Sequence, residues 1–516
     1  MALSRDPGVT IRCIDVGGRL EPANQVALDR MSRSAPDEWS TEDLRTVTRI
    51  AVVAKDQRLP EKRNYGSAFP FSEFGQLGEV TGEPGTNTHV VSGAYGGFSN
   101  TWGAQTMVYS DASFSDWPFS RSALEPDYRA ILNEIPYAAE EDDYNEFFPL
   151  WAPAEPLPPL SRGSQRVLDR YRRHRVSVRR HGVIVGKARL AMRGSKCVSC
   201  GLCMTGCPYS YVYSASQTFD QLIAAGKVHY TGGLVATSLG ERDGRPFVTV
   251  RDTASGEVET LTADKIFVGI GSVATTRLVA TSLDRFDEPM HFRESVQFVM
   301  PFVSLASNGA LRQDDSFTLN QFNLLLPFDE AGRDLVQVHA YSYNDAMDLA
   351  IPGVLRMPAL KGVGTQLLKH LTVGLGYLPS WWSPGFDVTF TKPSSSGQLA
   401  HVAIAAATSA NESAKRLRAV NVRLLKVARQ LGIAPVVPMV SMSAPGKSYH
   451  FGGSFPHSNV PTAGRESDLL GRVDPWRHIH LVDATVFPTI SATTFTLTIM
   501  ANAHRIARTV LEARGD

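Results

Sequence analysis

The chain has 516 residues, with 52 basic and 51 acidic side chains, a net charge of +1 and a hydrophobic content of 43%. That length holds two or more domains or one large two-lobed enzyme, and the charge balance gives no global pull towards nucleic acid or membrane. No apolar run reaches roughly 18 residues, and MALSRDPGVT lacks the apolar core of a secretory signal, so no transmembrane segment and a cytoplasmic location are expected.

Residues 1–20 read as the tail of a helix, a turn at Asp6-Pro7-Gly8 and a short strand ending at Asp15. In dinucleotide-binding folds a strand that ends in an acid holds the nucleotide ribose. TEDLRTVTRIAVVAKDQ (41–57) reads as a helix, and the Gly/Ser/Thr/Asn-rich stretch 76–103 as a long loop over a ligand. Within it, YGGFSNTWG (95–103) lets the backbone approach a planar ligand, with Trp102 as a cap or, equally, as part of a structural turn. Pro and acidic residues at 146–160 mark a connector. Residues 162–193 then carry ten arginines and one lysine against Asp169 alone, which is either a solvated basic face or a dock for an acidic redox partner protein.

Four of the five cysteines, Cys197, Cys200, Cys203 and Cys207, follow C-x2-C-x2-C-x3-C-P. This spacing wraps iron–sulfur clusters in bacterial ferredoxins, where the fourth thiolate serves a second cluster. Three readings stand side by side: an iron–sulfur cluster ([4Fe-4S] or [3Fe-4S]), a zinc or structural knuckle, and unligated thiols.

A helix at 215–226 and strands at 227–239, 245–252 and 257–270 follow. Strand-like stretches such as FTLNQFNLLLPF and VQVHAYSY, an apolar Gly/Pro-broken segment (349–386) and a helix at 411–431 fill 290–440. GYLPSWWSPGF offers Tyr377, Trp381 and Trp382 either as a sugar-stacking platform or as core. The chain closes with the strand HIHLVDA, a Pro-containing loop and a helix at 495–513 whose N-terminus suits an anion.

Five pieces in order resemble the glucose–methanol–choline (GMC) family of FAD-dependent oxidoreductases: DVGGRLEP, YGGFSNTWG with DWPFSRSALEPDY, IFVGIGSVATTRLVATS, SYHFGG and VDATVFP. The resemblance implies an α/β fold. Its Rossmann-like FAD-binding domain is discontinuous, drawn from 1–110, 197–289 (with the cysteine segment) and 441–516. Connector and substrate-domain elements would lie at 111–196, and a sheet-based substrate-binding domain at 290–440. It also implies FAD, with Asp15 on the adenosine ribose, and Gly96, Gly97, Ser99, Asn100 and Trp102 over the flavin. Val235 would lie beside the adenine, and Asp483 near the pyrophosphate or the flavin ring.

His450 of SYHFGG falls where the family keeps its catalytic histidine, suited to take a hydroxyl proton while hydride leaves carbon. Thr494 stands where the family usually has a second His or Asn; a threonine hydroxyl hydrogen-bonds but is no base at neutral pH. His457 is the runner-up base, while His478 and His480 read as structural. The implied activity is that of a dehydrogenase oxidising the CH–OH group of a small-molecule alcohol or sugar substrate, with electrons passed to an acceptor through a cluster where the cysteines hold one. The alternative is an accessory electron-transfer or binding subunit that keeps the fold without a complete flavin site. The family's glycine-rich phosphate loop, expected ahead of Asp15, is missing here. The expectation is a misplaced start or a truncation, and weak FAD binding.

Overall fold

The computed structural model describes residues 1–49, 63–71, 77–306, 316–341, 370–395, 397–407 and 411–513. In chain order the strands used below are β1 (Arg12–Ile14), β2 (Val80–Gly82), β3 (Ile184–Lys187), β4 (His229–Thr231), β5 (Leu234–Arg242), β6 (Arg245–Asp252), β7 (Val258–Thr262), β8 (Ile266–Val268), β9 (Met290–Glu294) and β10 (Gln297–Ser304). They continue as β11 (Asn320–Pro327), β12 (Leu335–Tyr341), β13 (Leu371–Tyr377), β14 (Phe386–Thr391), β15 (His401–Ala406), β16 (Ile433–Pro435), β17 (Ser441–Met442), β18 (Phe451–Gly452) and β19 (Ile479–Leu481). The helices are α1 (Pro22–Met31), α2 (Thr41–Val47), α3 (Arg121–Glu134), α4 (Arg162–Arg180), α5 (Ala215–Ala224), α6 (Ser272–Ser282), α7 (Asn411–Leu431) and α8 (Thr496–Glu512).

The fold is mixed α/β, as the sequence implies. Its largest sheet has the order β16-β10-β13-β12-β11-β3, with β17 also on β10, and every pairing in it is antiparallel. Period-two alternation gives this sheet two distinct faces. Phe298, Met300, Phe302, Phe322, Leu324, Leu326, Val336, Val338 and Ala340 pack under α4 and α7. Gln297, Asn323, Gln337, His339 and Tyr377 therefore fall on the opposite, inner face. On the outer face Gly376, paired with Phe298 and Val338, is required, because a Cβ would sit 2.0 Å from the Phe298 ring.

The dinucleotide-type half is built from short parallel pairs. β1 pairs with β4 and β8 pairs with β19, and among the described residues no strand joins the two pairs. β5, β6 and β7 form an antiparallel meander beside them. α3 and α8 are clamped together by a buried triad: His504 Nδ1 lies 2.6 Å and Arg508 Nη2 3.0 Å from Asp127, whose side chain is fully buried.

Several expected boundaries shift for local reasons. The N-terminal helix tail is a single 3-10 turn, Leu3–Arg5, and β1 is half-buried rather than buried. The stretch 227–239 contains β4 and the start of β5, broken at Gly232-Gly233, and 257–270 divides into β7 and β8 around Asp264. Of the helix expected at 41–57, residues 41–47 are helical, and 50–57 lie outside the described residues, as does 349–369 of the apolar segment.

Candidate active site

At the end of β1 the backbone of Asp15 is held on both sides, its N–H on the Thr231 carbonyl (3.1 Å) and its carbonyl by the Leu234 N–H (3.0 Å). Its carboxylate accepts the Tyr230 hydroxyl at 3.2 Å. Burial pushes this acid above the usual carboxylate range, against the opposing hydrogen bonds from Tyr230, Val16 and Gly17. Gly17 turns the chain at φ 72°, where a Cβ would lie 2.4 Å from the Tyr230 hydroxyl.

The 95–103 loop turns at Gly96 (φ 88°) into a 3-10 turn, Gly97–Asn100. Its polar side chains are spent on the loop itself. Asn100 Nδ2 donates to the Tyr95 and Gly97 carbonyls (3.0 and 2.8 Å), and Ser99 Oγ accepts the Ala215 N–H (2.9 Å) at the start of α5. Trp102 Nε1 donates to the Tyr213 carbonyl at 2.7 Å. These residues shape the loop and tie it to α5, while Gly97 fronts open space, where a Cβ would meet nothing within 4 Å. Val235 is buried in β5 opposite Arg251.

Asp483 caps the 3-10 turn Ala484–Val486 just past β19. Its Oδ2 accepts the Gly271 N–H (3.1 Å) and the Thr275 hydroxyl (2.6 Å), and its Oδ1 accepts the Thr485 N–H (3.0 Å) and hydroxyl (2.7 Å). Four protein donors occupy the carboxylate, and the two from Gly271 and Thr275 tie the N-terminus of α6 to the turn just past β19. Burial raises its pKa against those hydrogen bonds.

His450 sits against the inner face of the large sheet. Its ring stacks on Tyr377 (centroids 4.6 Å apart, 20° between planes) and tilts against Phe495 at 4.9 Å. Its Nδ1 is buried without a hydrogen-bond partner, and so is Oγ1 of Thr494, the residue before Phe495. Burial lowers the imidazole to about 4. Nothing local to SYHFGG announces the support beneath it. Glu294, 1% exposed, accepts the Gly446 N–H (3.0 and 3.1 Å) and the Ser448 hydroxyl (2.7 Å), and Ser448 Oγ in turn accepts the His450 N–H at 3.0 Å. The Ser295 N–H also donates to the His450 carbonyl at 2.9 Å.

A second imidazole escapes the reading of the sequence. His339 of β12 lies 3.1 Å from Gln105 Nε2 and 5.0 Å from the Tyr377 ring, so Tyr377 is flanked by two histidines. Burial, then the nearness of His450, lowers His339 to about 3. The available signal is the alternation Gln337, His339, Tyr341 in VQVHAY, which puts three polar residues on one strand face.

The other candidates resolve into structure. His457 is paired at both nitrogens, with the Asp468 carbonyl (2.6 Å) and Asn502 (3.1 Å), which removes it as an alternative base. His480 bonds the Leu470 carbonyl at 2.9 Å and stacks on Phe267, and His478 faces Glu241. Trp382 is core under the outer helices, and Trp381 Nε1 donates to Asp334 (2.8 Å), so neither forms a sugar platform.

The cysteine segment departs from the metal-centre expectation. Among the described residues no three His, Cys, Asp or Glu side chains converge on a point that holds a metal ion, and all four thiols are free. The segment is engaged locally: Cys197 Sγ accepts the Ser199 N–H and Cys203 Sγ the Thr318 N–H, both at 3.5 Å, while the Tyr65 hydroxyl donates to the Cys207 carbonyl at 2.8 Å. Burial raises Cys200 to about 12 and Cys203 to about 11. The loop thus staples the chain around Tyr65 and Thr318, and it does not fit a cluster or zinc in this arrangement.

The buried neutral imidazoles carry a stability consequence. His339, His457 and His480 are lowered to about 3, 3 and 4. Between those values and about 6.5 the unfolded chain binds protons that the native chain refuses, so stability rises with pH across that window and is lost as pH falls through it. The urea midpoint is expected to fall steadily from pH about 6.5 to about 4. Buried acids with raised pKa, such as Glu294, act in the opposite sense, so a His480→Asn variant makes the assignment. Its midpoint should depend less steeply on pH than that of the native chain, and an unchanged slope would rule the imidazole out.

No family model matches the chain, and no curated protein matches it by sequence. Among solved structures, pyridoxine 4-oxidase from Mesorbium loti superposes with a TM-score of 0.58 at 13% identity, covering 99% of this chain and 96% of that one. No helix among the described residues is long and apolar enough to cross a membrane. From end to end, the chain has the fold of pyridoxine 4-oxidase.

Proposed function

We propose that the chain is an FAD-dependent oxidoreductase of the GMC type, oxidising the CH–OH group of an alcohol or sugar. The observation that carries this reading is two buried, unpartnered polar atoms, His450 Nδ1, whose ring packs on Phe495, and Oγ1 of the adjacent Thr494 just before α8. Buried polar atoms left without a partner need an explanation, and beside a candidate base a bound substrate supplies one. The remaining residues fit FAD as well. Asp15, at the end of β1, would hold the ribose, Gly97 and Gly271 face open space, and the α6 N-terminus begins at Gly271 with φ 92°. The flavin, when bound, supplies the hydride acceptor.

The protein's own contribution is acid–base and positional. A His450 ring held neutral by burial takes the substrate hydroxyl proton at Nδ1. The Thr494 hydroxyl orients the same oxygen, and Tyr377 with Phe495 fixes the imidazole plane. Glu294 positions the turn that presents the histidine. The four cysteines are not assigned to the electron path, since their side chains do not converge. Support for the reading also comes from the shared fold with an enzyme described as an oxidase.

Without the glycine-rich phosphate loop FAD is expected to bind weakly, so the purified chain is run on a column equilibrated with excess FAD, where a flavin band is expected to travel with the protein. Anaerobic addition of a panel of primary alcohols, pyridoxine and aldoses should bleach it with at least one member. A protein that stays colourless would remove the flavin reading; a flavoprotein that no CH–OH compound reduces would remove the proposed chemistry and leave the cofactor.

A further inference from the structure

The near-zero net charge hides a strong separation of charge. α4 carries eight arginines against Asp169, and α7 carries six basic residues against Glu412. These two helices therefore hold an excess of twelve positive charges in a chain of net charge +1, and everything else is net acidic.

The fold places the two helices side by side. Both lay their apolar stripes on the outer face of the large sheet, α4 through Val167, Leu168, Tyr171 and Val178, α7 through Val420, Leu424, Val427 and Leu431. They run antiparallel. Arg170, in the first half of α4, donates to the Gln430 carbonyl (3.0 Å) and to the Arg429 carbonyl at the end of α7, and Gly182, just past α4, lies against Arg423 in the middle of α7. The result is a rigid two-helix platform with its basic sides outward.

Part of that charge is used internally. Asp143 and Glu146 pair with Arg175 and Arg179, and Glu412 pairs with Arg416. Arg423 donates to the Pro327 carbonyl and covers the Phe328 ring. Arg180, Lys415, Arg418, Lys426 and Arg429 remain, and enter no ion pair among the described residues; all five are exposed. Set among them are aliphatic side chains that reach solvent: Val176 at 71%, Val422 at 51% and Leu425 at 47% exposure. On α7 the order Arg418, Val422, Leu425, Arg429 follows helical spacing, so aliphatic and basic residues share one outward stripe.

We infer that this α4–α7 face seats the protein on an anionic bilayer surface. Lipid headgroups answer the unpaired cations, and the adjoining glycerol and acyl region receives Val176, Val422 and Leu425. An acidic protein would answer the cations while leaving those aliphatic groups against a polar surface. The acidic remainder of the molecule is repelled by the same headgroups, which orients the chain with this face down. Neither helix crosses the bilayer; the platform lies on it. The inference is independent of the flavin chemistry.

The test is co-sedimentation of the full chain with large unilamellar vesicles of phosphatidylcholine, alone or with about one third phosphatidylserine. Partitioning onto the phosphatidylserine vesicles is expected to be about tenfold or more higher in low salt, and to collapse towards the phosphatidylcholine level near about 0.5 M salt. K415Q/R418Q/K426Q/R429Q should remove that advantage, and V422S/L425S should weaken partitioning severalfold with the charge unchanged. Thermal melts check that each variant is folded, and single K426Q and R429Q variants, each with a partial loss, serve if the quadruple one is not. Equal partitioning onto both vesicle types overturns the inference, as does native partitioning by the folded charge variant. Retention by soluble polyglutamate without vesicle binding would also overturn it and assign the face to an acidic protein.

Discussion

His450→Ala is expected to slow substrate-driven flavin reduction by about 10²–10⁴-fold while leaving FAD affinity unchanged, because the ring moves a proton and does not anchor the cofactor. The pH dependence sharpens the test. With the imidazole lowered to about 4 by burial, the base is already neutral over the ordinary working range. Protonation disables it, so the acid limb of the reduction rate should fall near about 4 rather than near the roughly 6.5 of a solvated histidine. Stopped-flow reduction under anaerobic conditions, followed by flavin absorbance, measures both. Unchanged kinetics in the alanine variant would remove His450 from the reaction, and a limb near about 6.5 would show that the ring is solvated in the complex. Glu294→Gln belongs beside it. It keeps one acceptor for the 446–448 turn, and its loss in rate should be far smaller than that of His450→Ala.

The second large effect is on stability. Asp483→Ala leaves the Gly271 N–H, the Thr275 hydroxyl and both Thr485 donors without their acceptor inside the protein. Stranding several buried donors costs roughly 3–5 kcal/mol, a large part of a typical folding free energy. Asp483→Asn keeps one accepting oxygen but aims an NH2 group at two of the donors, so it should fall between the alanine variant and the native chain. Urea unfolding followed by tryptophan fluorescence reads the order native, Asn, Ala. Native-like midpoints in both variants would mean that water replaces the carboxylate. Because the bonds from Gly271 and Thr275 join α6 to the turn past β19, the alanine variant should also bind FAD more weakly in proportion to its instability.

How far each feature was legible follows from its range along the chain. Helices 411–431 and 496–512 were readable because an amphipathic period is local, and so was the alternation of the sheet strands, whereas 162–180 showed only its charge and not its helix. His450 stood out through its neighbours in SYHFGG. The hydrogen-bond partners of Asp483, Ser99 and Trp102 were not readable, since they come partly from segments far away in sequence: Gly271 and Thr275 lie over 200 residues from Asp483, and Tyr213 lies 111 from Trp102. The cysteine spacing was a local signal that three-dimensional placement did not convert into a convergent set.

By itself, then, the sequence determined the class of fold, the order of its pieces, the histidine to examine and the concentration of arginine in one stretch. Only the tertiary structure brought His339 and His450 to the same tyrosine, Tyr377, set Glu294 under the 446–448 turn, and laid the basic faces of α4 and α7 side by side. The reason is physical. Periodicity and turn chemistry act between residues a few positions apart, whereas hydrogen-bond satisfaction, burial and surface charge depend on which distant segments the sheet registers and helix packing bring into contact.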